Sequence, residues 1–215
     1  SNPEPQHWIY ALISLQSMEG FLGRGNYGII RMNSGTGSRP FVGISPGLTW
    51  GKRFQRDVDL LVRERDLFAE EYALEGHALL WTIPWSGEIS DSLPLMDCDP
   101  YFIEVCRRIR LQANTDGTLT CWKSNTKAQR VAASQDLKGV TGDPWTPVDK
   151  QEVKALTLGE SGFTYELLQE LLLGENYKRP LALEFREGER GGAYLIAQVL
   201  VRGQGKTEGL HRRFI

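Results

Sequence analysis

The stretch AYLIAQVLV, residues 193–201, decides the fold, because it is an apolar run of strand length that follows a glycine-rich turn. Before it, Leu181–Arg186 has a similar character, and Gly188-Glu189-Arg190-Gly191-Gly192 separates the two runs. Two such runs joined by a glycine-rich segment predict a β-hairpin. After it, Gly203-Gln204-Gly205-Lys206-Thr207 predicts a tight β-turn with a basic tip.

Helical periodicity marks three other parts of the chain. His7–Glu19 and Phe163–Leu173 carry apolar residues at three-to-four spacing, which predicts helices that end at Gly20 and Gly174. A long amphipathic helix is predicted between them, with an acidic solvated face and an end at Gly76. Its apolar positions are Phe54, Val58, Leu61, Phe68 and Tyr72.

Short strands are predicted at Pro40–Ile44, at Ala78–Pro84 and at Gly117–Lys123, the last led by an Asp-Gly turn. Pro100–Gln112 fits a helix or a strand, and Gly139–Pro147 is a rigid loop. No repeat is evident. The sequence therefore predicts an α+β globular domain with short strands, a long amphipathic helix and loop-rich segments, in a single globular region over residues 1–215.

Composition excludes several classes of protein. The chain has 215 residues, of which 40% are hydrophobic and 24% charged, values that exclude disordered and fibrous chains. Its apolar runs are far shorter than the roughly 20 residues of a membrane helix, so no membrane partner is expected. The start, Ser1–Pro5, lacks a signal peptide and a Met. The odd set of Cys98, Cys106 and Cys121 indicates no disulfide framework, and a cytoplasmic location is predicted.

Charge is segregated along the chain behind a net value of −2. Residues 1–56 hold six basic and two acidic side chains, residues 57–102 hold two and eleven, and residues 103–138 hold seven and three. Between Gly20 and Arg56 there are nine glycines, six basic residues and no acid. Such a composition does not sustain a long helix and predicts an extended, looping, basic segment.

This basic segment has two interpretations. Glycine lets the backbone approach a partner closely and leaves N–H groups free, while arginines supply charge for phosphates, as on a nucleic-acid surface. Alternatively, the arginines pair within the protein with the acidic block at 57–102. The basic residues concerned are Arg24, Arg31, Arg39, Lys52, Arg53 and Arg56.

Catalytic motifs are weak. Gly203–Thr207 ends like a phosphate loop, but Leu200 stands where the first glycine belongs, and no room remains for the following helix. Gly159–Phe163 misses the nucleophile-elbow pattern by one residue. The three histidines, at positions 7, 77 and 211, have no metal-ligand spacing. Binding is therefore favoured over catalysis, and we predict no enzyme activity, no metal and no cofactor.

Five motifs occur in an order that resembles a known family, the CasA large subunit of the type I-E CRISPR Cascade complex. They extend across nearly the whole chain. They are Gly35–Val42, Arg56–Leu61, Cys98-Asp99-Pro100, Gly142-Asp143-Pro144-Trp145-Thr146-Pro147, and Leu200–Gly205 ahead of Arg212-Arg213.

The resemblance implies a non-enzymatic subunit of an RNA-guided antiviral defence complex. Such a subunit recognises the protospacer-adjacent motif in double-stranded DNA through the minor groove and begins strand separation, so that the guide RNA can pair. The implied partners are target DNA, guide RNA, the other Cascade subunits and a recruited helicase-nuclease. The family's C-terminal helical bundle would lie beyond Ile215, so the chain is expected to be part of the N-terminal domain.

The resemblance also assigns residues. The family's glycine loop, which lies against the minor groove, matches Gly35, Thr36 and Gly37, and its wedge glutamine matches Gln204, with Gly205 facing the groove. A basic residue that reaches the groove is matched by Lys138 or Arg130, and Arg39 and Lys206 complete the predicted DNA-binding set. These two turns are expected to converge on one surface.

Two other functions stay open at this point. One is a P-loop-like nucleotide-binding enzyme that uses Lys206 and Thr207. The other is a scaffold fragment without direct nucleic-acid contact, whose basic loop pairs internally. Some family members carry zinc-binding cysteine pairs, and nothing in this sequence matches them.

Overall fold

The computed structural model describes residues 3–18, 38–132, 137–189, 192–203 and 206–215. Over these ranges the protein has the mixed α+β fold that the sequence predicts, with short 3₁₀ turns between the longer elements. The α-helices of the described ranges are α1 (Pro5–Met18), α2 (Trp50–Arg63) and α3 (Tyr165–Leu173).

Strands in the described ranges form small sheets. In chain order they are β1 (Phe41–Ser45), β2 (His77–Leu79), β3 (Leu93–Pro94), β4 (Cys98–Ile103), β5 (Arg108–Ala113), β6 (Leu119–Ser124), β7 (Val131–Ala132), β8 (Val148–Asp149), β9 (Lys154–Ala155), β10 (Tyr177–Lys178), β11 (Tyr194–Gly203) and β12 (Lys206–Phe214). They pair in the orders β1-β11-β12, β10-β8-β9, β2-β4, β3-β7 and β5-β6. The first sheet carries the main core.

Strand β11 is the centre of that sheet. It pairs antiparallel with β1, with Phe41 opposite Gln198, and with β12, with Ile196 opposite Phe214. Alternate side chains of β11, from Leu195 to Val201, enter a buried cluster with Val42. Helix α3 covers this cluster with buried leucines. Fully burying one Val or Leu stabilises a fold by about 1.5–3 kcal/mol, so this layer supports the sheet.

The predicted hairpin between residues 181–186 and 193–201 is wrong. Leu181–Leu183 is a 3₁₀ turn, and β11 takes β1 and β12 as its neighbours instead. The turn packs so closely under β1 that a Cβ added at Gly43 would lie 3.1 Å from both the Cβ and the carbonyl oxygen of Ala182. Glycine at position 43 lets the two backbones meet, and this contact replaces the strand pairing.

The long helix predicted from Phe54 to Tyr72 is interrupted. Helix α2 ends at Arg63, and residues 65–68 continue as a 3₁₀ turn. Phe68 and Tyr72 pack into a second core cluster beneath β2 and β4, while Phe54 and Val58 are exposed. The apolar periodicity therefore combines two segments that pack in different places.

Other predictions are confirmed. Helices α1 and α3 and strand β1 lie where periodicity indicated, and Thr164 caps α3 by accepting the backbone N–H of Leu167 at 3.2 Å. The alternating strand after Asp116-Gly117 is β6, and the ambiguous segment Pro100–Gln112 forms β4 and β5. None of the helices in the described ranges has the length and apolar character that a membrane crossing requires.

Candidate nucleic-acid interface

One end of the sheet β1-β11-β12 adjoins both predicted DNA-binding turns. Because β1 and β11 are antiparallel, β1 begins at the end of the sheet where β11 finishes. There Gly203 pairs with Lys206, the first residue of β12. Gly35, Thr36, Gly37, Gln204 and Gly205 lie outside the described residues. The described residues that follow the glycine segment, and those on both sides of Gln204 and Gly205, nevertheless lie toward the same end of this sheet, with Phe41 opposite Gln198.

Arg39 follows the glycine segment, but its side chain faces inward. The residue is 7% exposed, and its guanidinium forms an ion pair with Asp143 and lies 4.8 Å from the centre of the Phe41 ring. It also donates to the Ser17 carbonyl at 3.4 Å. A buried arginine that is paired with a carboxylate is unavailable to a DNA phosphate. The geometry therefore argues against a direct DNA contact by Arg39.

The Gly142–Pro147 loop holds this arrangement. Asp143 accepts the backbone N–H of Trp145 at 3.1 Å, and the Thr146 hydroxyl lies 3.0 Å from Asp143 Oδ2 and 3.1 Å from the Pro40 carbonyl oxygen. The Val42 N–H donates to the Trp145 carbonyl at 2.9 Å. Two of the motifs that carry the family resemblance, far apart in sequence, thus brace the start of β1 together.

Asp57 of α2 lies next to this brace. The Trp145 indole N–H donates to its carboxylate at 3.2 Å, and Arg53 Nε is 3.6 Å away. Arg53 also donates to the Gln198 side chain on β11 at 3.0 Å. Burial raises the pKa of Asp57 against the opposing effect of Arg53, and burial lowers the pKa of Arg53. These contacts fasten α2 across the sheet.

Arg56 is the most extensively bonded of the buried arginines. Its Nε and Nη2 donate to the two carboxylate oxygens of Glu189 at 2.7 and 2.9 Å. It also donates to the carbonyls of Ala182, at 2.9 Å, and Glu184, at 2.7 Å. The hydrogen bonds from Arg56 hold the pKa of Glu189 below its ordinary value. A bidentate pair of this kind fixes both geometry and charge.

The internal-pairing interpretation of the basic segment therefore describes Arg39, Arg53 and Arg56. Only Arg53 takes its main partner, Asp57, from the acidic block. The other two pair with Asp143 and Glu189, which lie much further along the chain. Sequence reasoning missed both carboxylates. The arginines alone gave no signal of the partners, since only the fold brings them together.

Arg130 and Lys138, the two matches for a groove-reaching residue, differ in exposure. Arg130 is 1% exposed, donates to the backbone carbonyls of Asp91 and Ile83, and lies over the Trp85 ring. Burial lowers its pKa. Lys138 is exposed and donates to the Glu152 carbonyl at 3.2 Å. Of the two, only Lys138 has an ammonium group that solvent and a DNA backbone can reach.

Lys206 is exposed beside the hairpin turn. Its side chain is 68% exposed, and its ammonium lies 3.4 Å from Glu208. The residues that follow form strand β12. A phosphate loop needs a helix N-terminus at this point, so the nucleotide-binding alternative lacks its central structural element.

A second surface escaped the sequence argument. The β5-β6 hairpin presents Arg110 directly opposite Trp122, and both side chains are exposed. The signal was present in the alternation of polar and apolar residues along both segments. It becomes visible only when the register of the two strands is known.

Comparison with known proteins adds no relative. No protein-family model matches the chain, and no curated protein matches it at a significant level. The resemblance to the CasA family thus depends on the order of the five motifs alone.

Proposed function

We propose that this chain is the DNA-recognising part of a non-enzymatic subunit of a CRISPR RNA-guided surveillance complex in the cytoplasm. It reads the protospacer-adjacent motif through the minor groove of duplex DNA and begins strand separation. The observation that carries the proposal is the shared end of the sheet β1-β11-β12. The chain leaving the glycine segment enters this end, and the hairpin holding Gln204 turns there.

The way in which these segments are attached to the sheet supports a wedge role for Gln204. A minor groove about 6 Å wide admits glycine backbone and slender side chains, and parting a base step costs a few kcal/mol. A side chain that parts bases must sit on an element that does not yield. Strands β11 and β12 pair from Ile196 to Gly203, with a register shift between Val201 and Arg202, and β1 is braced by Asp143 and Thr146. Such a scaffold keeps a recognition turn in place.

In this proposal, only some of the basic residues predicted from the sequence contact DNA. Arg39, Arg53 and Arg56 support the scaffold, because their guanidinium groups are occupied inside the protein. Phosphate contact falls to the exposed ammonium groups of Lys138 and Lys206. Guide RNA, the other Cascade subunits and the helicase-nuclease are the further partners that this function requires.

The test uses the complex assembled with the subunit that contains this chain. A target duplex with 2-aminopurine next to the motif reports base separation by its fluorescence. We expect Gln204→Ala to abolish the fluorescence rise while leaving duplex binding within a few-fold. Gln151→Ala, an exposed glutamine in the loop after β8, is the matched control and is expected to open DNA normally. Equal opening by both variants would exclude the wedge role of Gln204.

A scaffold without DNA contact is the second candidate, favoured by the internal pairing of the three arginines. It predicts that replacing both Lys138 and Lys206 by alanine leaves the binding of target duplex by the complex unchanged, at low salt and at moderate salt alike. The DNA-recognition proposal predicts weaker binding and a smaller dependence on salt for the same double variant, because each neutralised phosphate contributes about 0.9 to the slope. Gel shifts of the double variant at low and at moderate salt separate the two functions.

A further inference from the structure

We infer that the β5-β6 hairpin is a second nucleic-acid site, which binds single-stranded DNA by stacking a base on Trp122. This inference goes beyond the proposed function, since it needs neither Gln204 nor the minor groove. The hairpin pairs Arg108–Ala113 with Leu119–Ser124, and in the described residues no other strand joins it. It is therefore a two-stranded ribbon.

The two faces of the ribbon differ sharply in chemistry. Because side chains alternate along each strand, one face carries only polar residues and one tryptophan, while the other carries mostly apolar residues. The polar face consists of the cross-strand pairs Arg108 with Ser124, Arg110 with Trp122, and Gln112 with Thr120. Trp122 thus stands in the middle of a polar, basic surface.

Trp122 is largely exposed on this face. Its side chain is 60% exposed, although most large aromatic side chains are buried on folding. Within the described residues, its indole stacks on no other ring and on no guanidinium. The exposed part of the indole is therefore not covered by another ring or by a guanidinium of the described residues.

The charge around the indole favours an anionic partner. Residues 105–128 contain five basic side chains and one acidic side chain, Asp116. The Asp116 carboxylate accepts the backbone N–H and the hydroxyl of Thr118 at the turn, and these hydrogen bonds keep its pKa low. Arg110 and Lys123 have no ion-pair partner among the residues the structure describes. Their charges are free to meet phosphates.

The ribbon is held firmly at its base. The buried Gln16 side chain of α1 accepts the backbone N–H groups of Cys106 and Arg107 at 2.8 and 2.9 Å, and it donates to the Arg107 carbonyl at 2.8 Å. Arg108 donates to the hydroxyl of Ser124 across the strands at 3.0 Å. A rigid platform loses little conformational entropy when a ligand binds, which favours binding.

These features fit single-stranded DNA better than duplex DNA. Nonspecific single-strand sites combine a basic surface with exposed aromatic rings, and one stacked base contributes about 1–3 kcal/mol. In a duplex, the bases are already stacked on each other, so the indole face has no partner there. The polar face of the ribbon therefore binds an unpaired base at Trp122 and an adjacent phosphate at Arg110.

The experiment measures binding of a fluorescein-labelled oligothymidine of about 15 nucleotides, within the usual range of site sizes, to the full chain. Trp122→Ala is expected to weaken binding about 5-fold or more, and Trp122→Phe, which keeps a stacking ring, is expected to weaken it less. The matched control is Trp50→Ala, since Trp50 on α2 is 74% exposed and distant from the ribbon in sequence and sheet. It is expected to bind like the unmodified chain.

Three results would overturn the inference. They are unchanged binding by Trp122→Ala, an equal loss with Trp50→Ala, and stronger competition by a duplex of the same length than by unlabelled oligothymidine. Circular dichroism of each variant checks the fold, and Trp122→Phe keeps the test valid if the alanine variant is unstable. Gln204→Ala is expected to bind oligothymidine normally, so failure of this site and failure of the wedge are distinguishable.

Discussion

The two basic regions of this protein have the same excess of positive charge, but in the described residues the second region exposes more of it, although its Arg130 is buried. Residues 1–56 and residues 103–138 each carry four more basic than acidic side chains. In the first region, the described arginines at positions 39, 53 and 56 are buried and paired with protein groups. In the second, Arg110 and Lys123 face solvent on a projecting ribbon beside an exposed tryptophan.

This comparison teaches that net charge along a sequence does not measure the charge that a partner meets. A buried guanidinium stabilises the fold only together with its carboxylate, because removing one member of the pair leaves the other uncompensated. An exposed guanidinium contributes little to stability and much to encounters with anions. Variants in the two regions should therefore differ in what they damage.

Arg56→Ala should have the largest effect on stability. The substitution removes the guanidinium from the Glu189 carboxylate, which then keeps only the Arg186 N–H, and from the carbonyls of Ala182 and Glu184. We expect a loss of about 3–5 kcal/mol in the free energy of unfolding, measured by urea denaturation. The control, Arg110→Ala, should stay within about 0.5 kcal/mol of the unmodified chain. Equal stabilities for the two variants would remove the distinction between the regions.

Tryptophan variants sharpen the same comparison. Trp145→Phe removes the indole N–H that donates to the buried Asp57, and a hydrogen bond to a charged group contributes roughly 2 kcal/mol. We expect a loss of about that size in urea denaturation. Trp122→Phe on the ribbon should cost less than about 0.5 kcal/mol. A larger loss at position 122 than at position 145 would contradict our description of the ribbon as a binding surface.

Glu189→Gln tests the buried pair through pH. Because the pKa of Glu189 in the fold lies below its ordinary value of 4.5, the contribution of Glu189 to stability is complete above that value and is lost as pH falls through the folded-state pKa. We expect the variant to be less stable by about 1.5 kcal/mol at pH 7, and the gap to narrow below pH 4.5. The pKa of Asp57 is raised, so Asp57 changes the stability with pH in the opposite direction. It does so in the unmodified chain and in the variant alike, and its effect therefore cancels from the difference between them. A gap that stays constant down to pH 3 would mean that the pair does not form.

Arg110→Ala should have the smallest effect of these variants. The effect should be measurable only in oligothymidine binding. Loss of one phosphate contact lowers the slope of log K against log salt for oligothymidine binding by about 0.7. The control is Arg63→Ala, an exposed arginine at the end of α2, which should leave the slope unchanged. Identical slopes for Arg110→Ala and the unmodified chain would place the phosphate contact elsewhere.

Local pattern was a good guide to elements and a poor guide to partners. The periodicity of α1 and α3, Gly174 at the end of α3 and the Asp-Gly turn before β6 each specify backbone geometry within a few residues. The partner of β11 was misassigned because the nearby run at 181–186 was a plausible strand, whereas the true partner, β1, lies about 150 positions earlier in the chain. The helical spacing of apolar residues likewise continues from Phe54 to Tyr72, although α2 ends between them. Where the helix ends depends on packing, which the spacing does not show.

The candidate site shows the same division. The motif order indicated the glycine segment, the glutamine turn and the Gly142–Pro147 loop, and their chemistry suggested DNA. That Arg39 and Arg130 face inward while Lys138 and Lys206 face outward follows from where Asp143, Asp91 and Trp85 lie in space. Burial of a charge is decided by neighbours that are distant in sequence, which local spacing does not encode.

By itself, the sequence determined the α+β class, the positions of α1, α3, β1, β6 and β11, and the order of motifs. These depend on backbone preferences and on side-chain alternation, which act over a few residues. The tertiary structure alone decided which strands pair, which arginines become part of the scaffold, and that Trp122 stands exposed opposite Arg110. Those outcomes result from competition among contacts across the whole chain, since each charge is stabilised either by water or by a partner that folding brings close.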